Sequence, residues 1–431
     1  MQPVFEVLRS GSWLTRERVK LVAIAVLVAS IAGLAFLVVT AHGLVDIRGR
    51  PLGTDFSDVY AAGSYVLDGT PDLPFDPVRQ HAREQQIFGD ATPFYGWHYP
   101  PLFLFIAAAL ALMPYGTALI VWQAITFGLY LLMMRSIAFP FPRATTPLLS
   151  PHAGRGDYLW LLLAVAFPAV LINVGHGQNG FLTAALLGGA LVQLDRRPIV
   201  SGILFGCLAY KPQFGLMIPL VLAVTGRWRV FAVATATALA IAAVTTALFG
   251  PQVWSDFVLR GLPVQNLVLA DPERIATPFY PTIFMNVRGA GASYGVAMAV
   301  QACFSLLAAA AVVFAFRFRK DADRDLLTAL FLACSICAVP YMLSYDALAL
   351  ACVAVMLLAS GKLDARGQTL AKLAYWLPLI QLAFGTFHVP GPALIPAAVA
   401  AGVLMRLMAP GDGKCGSAPP APLIDGAIPT S

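Results

Sequence analysis

The chain has 431 residues, of which 59% are apolar and only 12% charged, with a net charge of +6. Ordinary globular proteins carry ~25% charged residues, so this composition excludes a sizeable soluble domain and describes a polytopic membrane protein lying in a lipid bilayer. No Lys/Arg stripe with interleaved aromatics accompanies the basic balance, which sets nucleic acid aside as a partner.

Arg9, Arg16, Arg18 and Lys20 precede the first apolar run, Leu21 to Ala41, which carries no charge over 21 residues. That is enough for a helix to cross ~30 Å of hydrocarbon, and too long for the core of a signal peptide. An uncleaved anchor with a cytoplasmic segment 1–20 is expected. Residues 43–100 follow as a polar outer loop holding eight acids between Asp46 and Asp90. A short run, Leu102–Met113, ends at Pro114-Tyr115-Gly116 and reads as a re-entrant hairpin.

Further apolar segments recur at Thr117–Met134, Tyr158–Asn173, Phe181–Leu194, Ile199–Ala209, Phe214–Thr225, Phe231–Leu248, Val296–Phe316, Leu326–Pro340, Ala347–Ser360, Leu370–Phe384 and Pro392–Met408. With the anchor they predict twelve crossings within 21–408, several shorter than a regular span. With the N-terminus inside, 20 Lys/Arg and 10 acids fall on the cytoplasmic side, against 8 and 12 outside. This split follows the positive-inside rule. A second large outer loop is expected at 250–294, and the Gly/Pro/Ala-rich tail at 409–431 reads as disordered and cytoplasmic.

On this topology the unusual polar residues gather on the outer face. Asp55 and Asp58 are three apart, which on a helix places them on one face. A carboxyl partly desolvated at a membrane surface suits a base acting on a hydroxyl. The other six acids of the loop read as solvated. Lys211 stands between two half-length apolar segments beside the helix-breaking Pro212, where a costly ammonium points to an anionic ligand such as a lipid phosphate. The Gly175-His176-Gly177-Gln178-Asn179 turn offers hydrogen bonds to sugar or phosphate. His98 and Tyr99 open the re-entrant run, and Tyr345-Asp346 begins a span. Asn286 and Arg288 in the second loop are candidate phosphate contacts.

No acidic pair has a His at metal-ligand spacing, and the chain has neither a Walker loop nor a dinucleotide fingerprint. Metal-independent chemistry on an activated substrate, with no cofactor, is expected. Cys334 and Cys337 read as apolar helix filler.

Gly53-x-Asp55-Phe56 with Tyr60-Ala61-Ala62, then Tyr99-Pro100-Pro101-Leu102, Gly177-Gln178-x-Gly180, Lys211-Pro212-Gln213 and Tyr345-Asp346, resembles glycosyltransferase family 87 in order and spacing, from the first span to about Ala359. The resemblance implies an all-α, GT-C-type bundle in a bacterial cytoplasmic membrane. It implies transfer of a mannose- or arabinose-like sugar from a polyprenyl-phosphate carrier to a lipid or glycan hydroxyl on the outer face, with inversion. By that resemblance Asp55 is the catalytic base, with Asp58 beside it where the family has a neutral residue. Lys211, Arg288 and His176 would hold the donor phosphate. Tyr60, His98, Tyr99, Gln178, Asn179, Gln213, Asn286, Tyr345 and Asp346 would line the substrate site. The rival readings are a transporter or flippase, for which Lys211-Pro212 would be a broken-helix binding point, and a non-catalytic scaffold.

Overall fold

The computed structural model describes residues 16–138, 159–271, 277–319, 322–359 and 365–409. The expected cytoplasmic segment before residue 16, the Arg143 and Arg155 connector, and the tail beyond residue 409 lie outside them. The described part is helical, with no strand beyond isolated bridges near His42.

In chain order the helices are α1 (Arg16–Val39), α2 (Phe56–Leu67), α3 (Pro77–Phe88), α4 (Leu104–Ala111), α5 (Tyr115–Ala138), α6 (Leu159–Val165), α7 (Pro168–His176), α8 (Gly180–Gln193), α9 (Pro198–Cys207), α10 (Ile218–Val224), α11 (Trp228–Phe249), α12 (Gln252–Asp256) and α13 (Leu262–Ala270). Then come α14 (Ile283–Gly289), α15 (Tyr294–Phe318), α16 (Arg324–Cys337), α17 (Leu348–Ala359), α18 (Ala365–Gly385) and α19 (Ile395–Met408).

Five helices are long and apolar enough to cross a bilayer: Glu17–Val39, Tyr115–Ile137, Trp228–Phe249, Tyr294–Phe318 and Gly391–Met408. A sixth arises if Leu159–Val165 and Pro168–His176, bent by 46°, count as one span. Twelve full-length crossings are therefore not reached among the described residues. The remaining apolar segments form shorter helices, and proline explains several of the breaks. Pro168, Pro198 and Pro212 each sit in the first turn of a helix, where the missing N–H costs nothing, and each stops the preceding helix from continuing.

Of the five long apolar helices, α1 is the least buried against the rest of the protein. The main core joins α5 with α8, α16 and α17 through Tyr130, Phe181, Phe331 and Val353. A second cluster, around Phe56, Phe103, Leu104 and Trp122, packs the first loop against α4 and α5. Here α2 and α4 approach so closely that a Cβ on Gly63 would fall 2.1 Å from the Ala107 carbonyl oxygen. α4 itself has eight residues, too few to cross.

Asp195, just past α8, pairs with Arg227 at 2.5 Å and with Arg324. Three connectors expected on the cytoplasmic side thus meet at one end of α8. The polar turn at Gly177–Asn179 lies at the other end, roughly 20 Å away along a 14-residue helix.

Candidate active site

Seven separate stretches of chain meet around a cavity of about 850 Å³. It is lined by the polar groups of Asp55, Asp58, Gln178, Lys211 and Asp346, and by His98, Tyr99, Tyr210, Gln213, Tyr280, Tyr341 and Tyr345. A further wall comes from the second loop, through Phe257, Leu262 and Gln265.

Glycines permit this convergence. α7 ends at Gly177, whose φ of +65° is the left-handed cap conformation, with its N–H on the Asn173 and Val174 carbonyls. A Cβ there would lie 2.5 Å from the Phe56 Cβ, so the turn packs directly on the start of α2. At Gly180 a Cβ would lie 2.6 Å from both Asn173 Oδ1 and the Tyr345 carbonyl oxygen. The two glycines join the turn to the Asp55 segment on one side and to Tyr345-Asp346 on the other.

The turn is held from behind. Trp122 Nε1 donates to the Gly177 carbonyl at 3.2 Å, and Gln123 Nε2 to the Gln178 carbonyl at 3.2 Å. Asn173 donates to that same carbonyl at 3.0 Å and accepts from Gly180 N at 2.8 Å. With its backbone fixed, the Gln178 side chain points at the carboxylates. Its Nε2 donates to Asp55 Oδ2 at 2.8 Å, while its Oε1 accepts from the Tyr99 hydroxyl at 3.2 Å. This fixes which way the Gln178 amide faces. Asp55 precedes α2 without capping it, leaving the carboxylate for these side-chain contacts.

Asp58 lies in the first turn of α2, 3% exposed, with Oδ1 buried and unpartnered among the described residues. Burial, then the charges of Glu84 and Asp55, push its carboxyl well above the ordinary carboxylate range. The protonated form of Asp58 is thereby favoured over the charged one. His98 is also kept neutral, its pKa lowered by burial against the opposing influence of the Tyr95 carbonyl and Asp55.

Lys211 is not a free cation. Its Nζ donates to Asp346 Oδ1 at 2.6 Å, and the two side chains are 5% and 4% exposed. The ammonium also lies 5.1 Å from the Tyr345 ring centre. Asp346, expected to line the substrate site, is the counterion of Lys211.

Five expected site residues do not line the cavity. Arg288 donates to the Ala292 and Ala270 carbonyls, each at 2.9 Å, and so braces its own loop. Asn286 is fully buried, donating to the Tyr280 and Thr282 carbonyls and accepting from Gln381. The Tyr60 hydroxyl donates to the Met113 carbonyl at 2.9 Å, tying α2 to the end of the α4 hairpin. His176 Nδ1 lies 2.6 Å from Thr54 Oγ1 and 3.9 Å from Asp55 Oδ1, flanking the carboxylate from outside. Asn179 is buried, with neither amide atom partnered among the described residues. Gln213, by contrast, is a lining residue.

Sequence reasoning missed Tyr280, Tyr341 and Gln265, which sit in segments that read as span ends or ordinary loop. It also missed Glu84. Among the acids expected to be solvated, Glu84 is fully buried. The clue was its i, i+4 spacing from Gln80 on a short amphipathic helix.

An all-α membrane protein with a polar, carboxylate-bearing cavity beside its apolar bundle is the class these features define. The sequence profile of glycosyltransferase family 87 matches residues 97–340, more than half of the chain, and the chain belongs to that family. It is a membrane glycosyltransferase. The match begins after Asp55 and ends before Tyr345-Asp346, so those two parts of the site stand on the geometry. No curated protein and no solved structure matches the chain.

Proposed function

We propose that the protein moves a sugar from a polyprenyl-phosphate carrier to a hydroxyl of a lipid or glycan acceptor, on the outer face of a bacterial cytoplasmic membrane and with inversion. The observation that carries this reading is the Asp55 carboxylate, held by Gln178 in the lining of a cavity that also contains the Lys211–Asp346 pair. The grouping of cytoplasmic-type connectors at the far end of α8 supports the outer placement.

In this mechanism Asp55 takes the proton of the acceptor hydroxyl as that oxygen bonds to the anomeric carbon. The bond from that carbon to the phosphate oxygen breaks on the opposite face, and its electron pair leaves with the phosphate. Lys211 is the cation placed to meet that charge, which draws it from Asp346. The tyrosines lining the cavity supply faces for the sugar and the first prenyl units. Transfer proceeds with no resident metal.

The test is transfer from a polyprenyl-phosphate sugar by the full-length protein in lipid. Asp55→Asn should lower kcat by ~10²–10⁴, the usual contribution of a general base, and chelators should leave the wild-type rate unchanged. Undiminished transfer by Asp55→Asn removes Asp55 as base. Solute uptake without transfer favours the transporter instead.

A further inference from the structure

Glu84 sits on α3, outside the cavity, yet it is the most completely tied acid near the site. Its Oε2 accepts from Tyr95 N at 3.1 Å, and its Oε1 accepts from Gly96 N at 3.1 Å and from Gln80 Nε2 at 3.4 Å. A buried carboxyl is tolerated only when such donors replace water. Burial raises its pKa, and the hydrogen bonds from Tyr95, Gly96 and Gln80 pull it back.

These bonds link two walls of the site. Gln80, four residues earlier on the same helix face, donates through Nε2 to the Asp58 backbone carbonyl at 2.9 Å, gripping α2. Glu84 grips the strap that follows α3, which lines the cavity through Phe94, Tyr95, His98 and Tyr99. The strap is sharply folded, for Gly96 has φ +75° and a Cβ on it would fall 2.5 Å from the Phe94 ring. Tyr99, at the strap's end, donates to Gln178, and Gln178 donates to Asp55. The connections close a ring from Glu84 through the strap, Tyr99, Gln178 and Asp55 to α2, and back through Gln80.

We propose that Glu84 is a positioning residue for sugar transfer, its carboxylate fixing the strap against α2 and thereby the aim of Asp55. The proposal rests on Asp55 being the base, and it adds a residue that touches neither substrate. A glutamine cannot replace Glu84, because its single acceptor oxygen serves one of the two backbone N–H groups while its amide nitrogen meets the other. An aspartate keeps the charge but is one methylene short.

The experiment uses full-length Glu84→Gln and Glu84→Asp in lipid, read by transfer kinetics and by amide hydrogen exchange of peptides covering the strap. In Glu84→Gln, kcat should fall about tenfold to a hundredfold with the donor KM little changed, the size expected from a misplacement of about 1 Å. Exchange should accelerate at the Tyr95 and Gly96 amides while α5 and α16 keep their protection. Glu84→Asp should recover part of both. Unchanged exchange at Tyr95 and Gly96 in Glu84→Gln overturns the proposal whether or not Asp55 is the base. So does a kcat loss accompanied by equally faster exchange throughout the bundle, since that marks general unfolding. Full transfer by Asp55→Asn removes the base reading, and with it the assigned purpose of the clamp. The exchange result then still reports whether Glu84 holds the strap.

Discussion

The Lys211 ammonium donates to the Asp346 carboxylate at 2.6 Å across 135 positions of sequence, both side chains nearly excluded from solvent. A buried pair of this kind contributes little net stability, but removing one partner strands the other charge. Lys211→Met or Asp346→Asn alone is expected to destabilise the protein by roughly 3–5 kcal/mol, and Lys211→Met with Asp346→Leu to recover most of that loss. Thermal unfolding in lipid measures it. All three variants should lack transfer, since each removes or unbalances the cation assigned to the leaving group in the proposed mechanism.

Asp58 gives a pH-dependent prediction. Its folded-state pKa lies above the ordinary 3.8, so its favourable contribution is complete below that value and is lost as pH rises through the folded pKa. Asp58→Asn keeps the shape without the ionisable proton. It should raise the melting temperature at neutral pH, with a gain that grows as pH increases and vanishes in acid. Glu84, raised in the same direction, stays in the variant and leaves a smaller slope of the same sign. Transfer should persist within a few-fold, and its abolition would make Asp58 a participant in the chemistry.

Gly177→Ala should be more damaging than its size suggests. The position has φ +65°, and the added methyl would sit 2.5 Å from the Phe56 Cβ. Backbone strain and overpacking together predict a loss of about 2–4 kcal/mol. The cost falls on the contact between the α7–α8 turn and the start of α2. Transfer should therefore fall even at temperatures where the variant remains folded, as a comparison of activity with a melting curve would reveal.

Gln178→Leu removes the donor to Asp55 and the acceptor for Tyr99 at once. Misdirecting a base in this way should reduce kcat about tenfold to a hundredfold. Gln178→Glu places a second carboxylate beside Asp55 and should be worse. Kinetics at fixed donor concentration separate the two.

The parts of the site visible in sequence were those that cost most to leave unexplained: Asp55, Lys211, Gln178 and Asp346, polar groups set in an apolar chain. Their pairing was not visible. Nothing local to Lys211 points to Asp346, because the contact is made by tertiary packing between the break after α9 and the turn before α17. Glu84 looked like one acid among eight, and only the fold turns its side of α3 inward. Arg288 and Asn286 looked like ligands because they are polar in a large loop, yet the loop spends them on its own carbonyls. The expected twelve crossings are not confirmed for a related reason. Apolar runs show where chain leaves water, whereas short pieces parted by proline, such as those on either side of Pro212, need not each cross.

The partnership of Lys211 with Asp346 also bears on biosynthesis. When the ribosome has delivered the lysine, its counterion is still far from being translated, and the growing chain must keep that ammonium in water or among lipid headgroups. The pocket is therefore completed only when the Tyr345-Asp346 segment docks against Gly180, late in the emergence of the polypeptide. Fragments released before that point hold Lys211 without the carboxylate that pairs with it, so a prematurely terminated product should insert and remain chemically silent.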